Sequence, residues 1–450
     1  MFGSWRYKRY HVSVGIGALC TALLVGVSLA QAMHISQQSH IWLYTILILM
    51  GAVALYRVRW YTFAVIILCG IAIGILRGAD VDHQLSRLES LQGKSITVRA
   101  TITEDPQQTV RGDTRIVLGK IVVDDTSYDG TIWATVRNDT LKRGDTVVVQ
   151  GSAKPGFGVY QLTMSYAKIL TNSASDDIFV GVRDAFSVSL RRVVVEPAAS
   201  LGIGFVVGQK TSLPPDLEDQ LRIVGLTHLV VASGYNLTIL IRFAKRLFEK
   251  HSKFLVNISS VLLVLGFVGI SGASPSMVRA SLVAGLSLLA WNYGRRFHPV
   301  LLIVYVAALT ALINPLYLWA DIGWWLSFLA FFGVLVVSPL ILHVMYRTKK
   351  SPAAVQLLSE TIAAQIMTLP LILLVFGSLP VLSVLANLVS APLIPLAMVL
   401  TTIAGVGSML LPFGAQLVAI PAEILLSYFV SVVRILSSPD WAQLDVSISW

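Results

Sequence analysis

Apolar residues gather in long runs at both ends of the chain, and a stretch of different texture separates them. The first block holds three runs, about 11–31, 41–56 and 60–77, each near the length that crosses a bilayer as a helix. From 93 to 172 the runs shorten and partly alternate. "KSITVRATITE", "TRIVLGKIVVDD", "TIWATVRND", "DTVVVQGSA" and "YQLTMSYAKIL" are rich in Val, Ile and Thr and predict strands. "RGD", "DDTSYDG", "KRGD" and "KPGFG" predict the turns between them. Five strands in about 80 residues suit a small Greek-key barrel of the OB type, with a generic small β domain as the alternative. Residues 178–195 are amphipathic, with Arg183, Arg191 and Arg192 among apolar residues, and suit a membrane interface. Pro214-Pro215 followed by Asp216, Glu218 and Asp219 predicts a helix start. The second block holds about eight apolar segments: 228–247, 254–272, 276–293, 298–313, 322–343, 355–376, 381–410 and 414–436. The seventh is long and Pro-rich, which predicts a bend or two half-helices.

Composition agrees with this pattern. The 450 residues are 55% hydrophobic and 13% charged, with mean hydropathy +0.74. A soluble fold could not bury that much apolar surface. The expected fold is a polytopic α-helical membrane protein of about 11 spans with an inserted extracellular, small OB-like β-barrel domain. It divides as 1–79, N-terminal spans; 80–177, β domain; 178–225, amphipathic or interfacial helices; and 226–450, a transmembrane domain.

Charge sets the expected orientation. Net charge is +10, yet residues 80–177 hold 11 Lys/Arg against 13 Asp/Glu, and the surplus sits beside the apolar runs. Arg6, Lys8 and Arg9 precede the first run, the 32–40 loop has no Lys or Arg, and Arg57 and Arg59 follow the second. This predicts a cytoplasmic N-terminus and a third span that delivers the β domain outside. In the second block "RFAKRLFEKHSK", "NYGRRFHP" and "MYRTKK" alternate with loops almost free of positive charge, so residue 228 enters from outside as well. The first run ends near Ala30 and Ala32 like a signal peptide, but its length and the spans that follow favour a retained span. Cys20 and Cys69 lie in apolar runs and read as inert thiols.

No G-x-x-x-x-G-K-[ST], H-E-x-x-H or G-x-S-x-G occurs, so no nucleotide, metal or cofactor site and no catalytic residue is predicted. The chemistry of interest is polar residues inside apolar runs, which are costly in a bilayer. His228, Arg279, Asp321 and Glu360 lie near run ends; Ser233, Asn236, Gln365 and Asn387 lie deeper. As a helix, "HLVVASGYNLTIL" puts His228, Ser233, Tyr235 and Asn236 within an arc of ~160°. A break at Gly234 is the alternative, since unwound backbone is tolerated at depth where protein or water covers it. Both readings face something wet; helix packing through small polar groups is the competing explanation.

"GLTHLVVASGYNL" resembles the G-L-x-H-L-x-x-x-S-G signature of the ComEC family of competence proteins. "SGASPSMVRASLVAG", "NPLYLWADIGWWLSFLAFFGVL" and "LPLILLVFGSLPVLSVLANLVSAPLIPL" resemble further blocks of that family in the same order. The resemblance covers nearly the whole chain. It implies an inner-membrane channel that imports single-stranded DNA in natural transformation. By motif match it carries over His228, Ser233, Gly234, Arg279, Asp321, Ser327 and Asn387 as pathway or structural groups. The family usually shows a His after the Ser-Gly-Leu, where this chain has Tyr235 and Asn236; Asn hydrogen-bonds but does not titrate. Many members carry a C-terminal metallo-β-lactamase-like domain, whereas this sequence ends at Trp450 after the last run. The expectation is a conduit with no nuclease or ATPase of its own. Its expected partners are a separate extracellular nuclease and DNA receptor, and a cytoplasmic single-strand translocase or helicase.

A groove for single strands combines modest positive charge with aromatic stacking. Lys94, Arg99, Arg111, Arg115, Lys142, Arg143 and Lys154, with Trp133, Phe157, Tyr160 and Tyr166, are the candidates in the β domain. The competing readings are a small-solute transporter or channel with an extracellular β domain, and a membrane-anchored assembly protein.

Overall fold

The computed structural model describes residues 11–445 except 39, 58, 110–111, 138–140, 210–212, 231–233, 249, 251, 295–297, 348–350 and 412–413; of Trp60, Tyr61, Tyr235 and Leu247 it describes the backbone alone. In chain order the elements begin with α1 (Val12–Ala32), α2 (Ile41–Arg57), α3 (Trp60–Glu89), β1 (Ser95–Ile102), β2 (Gln107–Gln108), β3 (Thr114–Val123), β4 (Thr126–Tyr128), β5 (Ile132–Val136), β6 (Thr146–Phe157) and β7 (Tyr160–Ser173). Then come α4 (Ile178–Arg191), α5 (Ala198–Val207), α6 (Pro215–Ile223), α7 (Thr227–Val230), α8 (Gly234–Phe248), α9 (Lys253–Ser271), α10 (Pro275–Asn292), α11 (Pro299–Ile313) and α12 (Leu316–Ala320). The chain continues with α13 (Ile322–Phe332), α14 (Ser338–Tyr346), α15 (Ala353–Phe376), β8 (Ser378–Pro380), α16 (Ser383–Ser390), α17 (Ile394–Leu410), α18 (Ala415–Ser437) and β9 (Gln443–Asp445). Contacts divide it into two compact units, residues 1–175 with 297–325, and 176–296 with 326–450.

Among the described residues seven helical stretches are long and apolar enough to cross a membrane: Val12–Ala32, Thr62–Glu89, Lys253–Ser271, Ile322–Tyr346, Ala353–Phe376, Ser383–Leu410 and Ala415–Ser437. α2, α5 and α11 are shorter apolar helices. The protein is therefore a polytopic, mostly helical membrane protein. The described parts of the expected apolar runs lie largely on helix, and those of 228–247 are α7 and α8, on either side of residues outside the description. The Pro-rich run 381–410 is α16 and α17, joined through a short 3-10 turn at Ala391–Leu393.

In the first unit, α1 and α3 pack through small residues. Gly70, Gly74 and Gly78 recur every four residues, so they line one helical face. A Cβ at Gly70 would lie 2.6 Å from the Leu19 carbonyl, and one at Gly74 would run into the Leu23 carbonyl. Such stripes let two backbones approach where no hydrophobic effect drives helices together. The same unit takes in α11 and α12. Arg77 on α3 donates from Nε to the Leu312 carbonyl (2.8 Å) and from Nη2 to the Ile313 carbonyl (2.9 Å). It thus satisfies carbonyls that the end of α11 leaves open.

α3 does not stop where the apolar run ends at residue 77. It continues to Glu89 and buries Leu88 in the core of the sheet, with Leu91 just beyond the helix. The five expected strands are β1, β3, β5, β6 and β7. β4 lies within "DDTSYDG": the turn is confined to Asp124 and Asp125, at φ 47 and 61, and the chain re-pairs with β3 from Thr126. Lys154–Phe157, expected in a turn, extends β6, and the reversal is left to Gly158 (φ 59) and Val159. Strand order is β1-β6-β7-β5-β3-β2, and β1 also pairs with β3. All these pairings are antiparallel except β5 with β7. Inward residues such as Val98, Leu118, Ile132, Val147 and Leu162 are fully buried, the alternation expected of a one-sided sheet.

In the second unit α5 is the centre. Nine of its ten residues are buried, and Phe186, Val230, Leu426 and Phe429 belong to the same core. Gly202 and Gly204 admit Leu426 and Val230 against its backbone. α4, expected at an interface, packs Val180, Phe186 and Leu190 inward while Ile178, Val182 and Val188 stay exposed.

Candidate nucleic-acid interface and polar seam

The sheet brings some of the expected side chains together and leaves others apart. Lys154, Thr163, Trp133 and Val117 lie opposite one another in register across β6, β7, β5 and β3. Residues directly opposite share a face, and Arg115, two positions from Val117, shares it too. On that face Trp133 packs its ring 4.6 Å from Phe157 and 5.0 Å from Tyr160, centre to centre, and Phe157 and Tyr160 are 5.4 Å apart. The Arg115 guanidinium sits 5.6 Å from the Trp133 ring, within the range of a cation–π contact. Phe157 is 52% exposed, so part of this aromatic surface is open.

The hairpin tip that carries Phe157 and Tyr160 reaches Ala320, whose carbonyl would lie 3.8 Å from a Cβ on Gly158. Asp321 follows immediately. Its extended backbone and its carbonyl, which accepts from Trp324 N at 3.0 Å, make it the residue that starts α13. Burial, then the Glu104 and Asp321 carboxylates, push the Tyr160 hydroxyl up to about 12.

Lys94 and Arg99 are exposed at and on β1, which carries no member of the aromatic group. Lys142 is exposed before β6, and Arg143 beside it is buried. Tyr166 stands apart from the trio with Arg137 5.7 Å over its ring. Arg111 lies outside the described residues.

In the second unit the predicted polar residues fall into two groups. Asn236 and Arg279 are buried at 0% and 1% exposure. Asn236 donates from Nδ2 to the Phe205 carbonyl at 3.1 Å, satisfying one of the carbonyls at the end of α5. A Cβ at Gly234 would lie 3.2 Å from Ala280, so the head of α8 packs on α10 beside Arg279, whose Nη2 donates to Ser276 Oγ at 3.1 Å.

The other group is a seam along α15 and α16. Ser383 Oγ donates to Gln365 Oε1 (2.9 Å), and one turn away Asn387 Nδ2 donates to Thr361 Oγ1 (3.1 Å). His228 joins it through Gly225: its Nδ1 lies 3.0 Å from the Gly225 carbonyl, and a Cβ on Gly225 would come within 2.9 Å of Ser383 Cβ. Asn387 Oδ1 is buried with no hydrogen-bond partner among the described residues. On another face of α15, Ser359 lies 3.0 Å from Ser338 of α14. Ser327 is half-buried on α13. Ser233 lies outside the described residues, as does the Tyr235 side chain.

The sequence reading missed Thr361, Ser383 and Glu104. For the first two a signal was present, since 361/365 and 383/387 both repeat at four residues, which aligns them on one face of each helix. Nothing local marks Glu104.

A helical membrane protein with a polar seam in one unit and a β domain bearing an aromatic platform in the other defines a class, polytopic membrane proteins with an inserted β domain. Residues 205–450 match the Competence protein family, and the chain belongs to the ComEC family of competence proteins. It is 31% identical over 279 residues to Competence protein ComA of Neisseria gonorrhoeae, covering 58% of this chain and 38% of that one. It is 27% identical over 238 residues to ComE operon protein 3 of Bacillus subtilis, covering 49% of this chain and 29% of the relative. The alignments thus span well under half the length of either curated relative. No solved structure matches.

Proposed function

We propose that this protein conducts single-stranded DNA across the cytoplasmic membrane during natural transformation. Membership of the competence family carries the reading, over the helical unit in which the seam lies. Physics supports it in two ways. A strand with one charge per nucleotide needs a path lined by hydrogen-bonding groups. Ser383–Gln365 and Asn387–Thr361 are neutral pairs that can exchange partners with water or a strand without stranding a buried charge. The seam is then the closed state of the path, with Asn236 and Arg279 fixing the helices beside it.

The β domain receives the strand outside. The cycle of pairings β1-β6-β7-β5-β3, with β3 returning to β1, supports an OB-like barrel. The alternation of Lys/Arg between loops supports a cytoplasmic N-terminus and an extracellular or periplasmic β domain. α2, α8, α10 and α11, which lie on the other four expected runs, supply the remaining spans of an eleven-span layout. The chain catalyses no reaction in this account; an extracellular nuclease and receptor prepare the strand, and a cytoplasmic translocase pulls it.

The test is a deletion strain given labelled DNA. DNA held outside the membrane, with entry restored by the wild-type gene, is the expected result. Normal entry in the deletion would overturn the reading and favour a small-solute transporter.

A further inference from the structure

Resting on the reading just given, we infer that the Trp133–Phe157–Tyr160 platform takes single strands by their base faces and turns away nucleic acid that offers phosphates alone. Three observations lead there. The platform is open aromatic surface, with Phe157 52% exposed and the three rings within 5.4 Å of one another. Its immediate electrostatics are acidic as well as basic. Arg115 lies over Trp133, but the charges of Glu104 and Asp321 reach Tyr160, adding to burial in the rise of its hydroxyl to about 12. Glu104 follows Thr103, which donates to the carbonyl of Val117, the register partner of Trp133; Asp321 follows Ala320 at the hairpin tip. Finally, residues 80–177 carry 11 Lys/Arg against 13 Asp/Glu, so the domain gains no general phosphate attraction.

Every base has a face to stack, whatever its identity, so such a platform is blind to sequence. A duplex buries those faces and presents phosphates. Two carboxylates beside the rings repel phosphates and leave stacked bases unaffected. Selection for a single strand follows at the entrance, before any pathway begins.

The experiment measures binding to the purified full-length protein in detergent micelles by fluorescence anisotropy. Three probes of equal length are compared: a single-stranded oligonucleotide, its duplex, and a single strand in which every base is replaced by an abasic residue. The single strand is expected to bind roughly tenfold or more tighter than the abasic strand and the duplex, the loss of one or two stacked bases. Phe157→Ala, on the exposed hairpin tip, is expected to weaken the single strand by roughly fivefold or more and leave the abasic strand unchanged. Glu104→Gln with Asp321→Asn is expected to strengthen the abasic strand and the duplex; Asn keeps the helix start that Asp321 provides. An abasic strand that binds as well as the intact one would overturn the inference while leaving transport standing. So would the absence of single-strand binding. Failure of the transport reading shows separately, as normal DNA entry in the deletion strain.

Discussion

Asn236 shows how a polar residue at depth is used. Its amide is fully buried, and its hydrogen bond goes to the carbonyl of Phe205 at the end of the most buried helix of its unit. Leucine would fill the space and leave the carbonyl without that donor. Asn236→Leu is expected to cost about 1–2 kcal/mol, because an abandoned buried acceptor loses its full desolvation penalty. Thermal unfolding of the purified protein checks this; an unchanged midpoint would remove the tie between α8 and α5. At Tyr160 the expected signature is spectroscopic. Its hydroxyl is raised from 10.0 to about 12 by burial and by Glu104 and Asp321. The fold therefore disfavours the phenolate. Stability is untouched by this group below its ordinary value and falls as pH rises from there through the raised one. Ultraviolet titration should show a late-ionising component that loses one tyrosine in Tyr160→Phe; a late component left unchanged by that substitution would contradict the raised value at Tyr160.

At the scale of elements, glycine spacing and hydrogen-bond rungs set which helices touch. Gly74 faces the α1 backbone at Leu23, so no side chain fits there without separating α1 from α3. Gly74→Leu is expected to destabilise the protein by about 1–3 kcal/mol or more, since a backbone cannot yield as a side chain does. The check is the yield of folded protein in membranes, with Gly181→Leu, where nothing lies within 4 Å, as the control. Much of this scale was legible beforehand. Helical spans announce themselves as runs of about 20 apolar residues, and the five long strands as β-branched runs between turns. The continuation of α3 was less visible, because Asp80, Asp82 and His83 break the run. Only Val81, Leu85 and Leu88, at helical spacing, mark the face that the extension buries. The aromatic residues were legible as types but not as a group. Their meeting depends on the parallel register of β5 on β7, a non-local pairing. Gln365 and Asn387 stood out as polar residues in apolar runs, whereas Ser383 and Thr361 are common small residues in such runs and reveal themselves only by their partners.

For the whole molecule, the account assigns selection to the β domain and passage to the helical unit of the competence family. Both assignments require the incoming strand to touch this chain. The most direct measurement places a photoreactive amino acid at Phe157 or at Gln365 in the cell, supplies labelled DNA, and illuminates during uptake. The account predicts a DNA adduct at Phe157 with the strand still outside, and one at Gln365 only while uptake is under way. DNA recovered in the cytoplasm with no adduct at either position would contradict it.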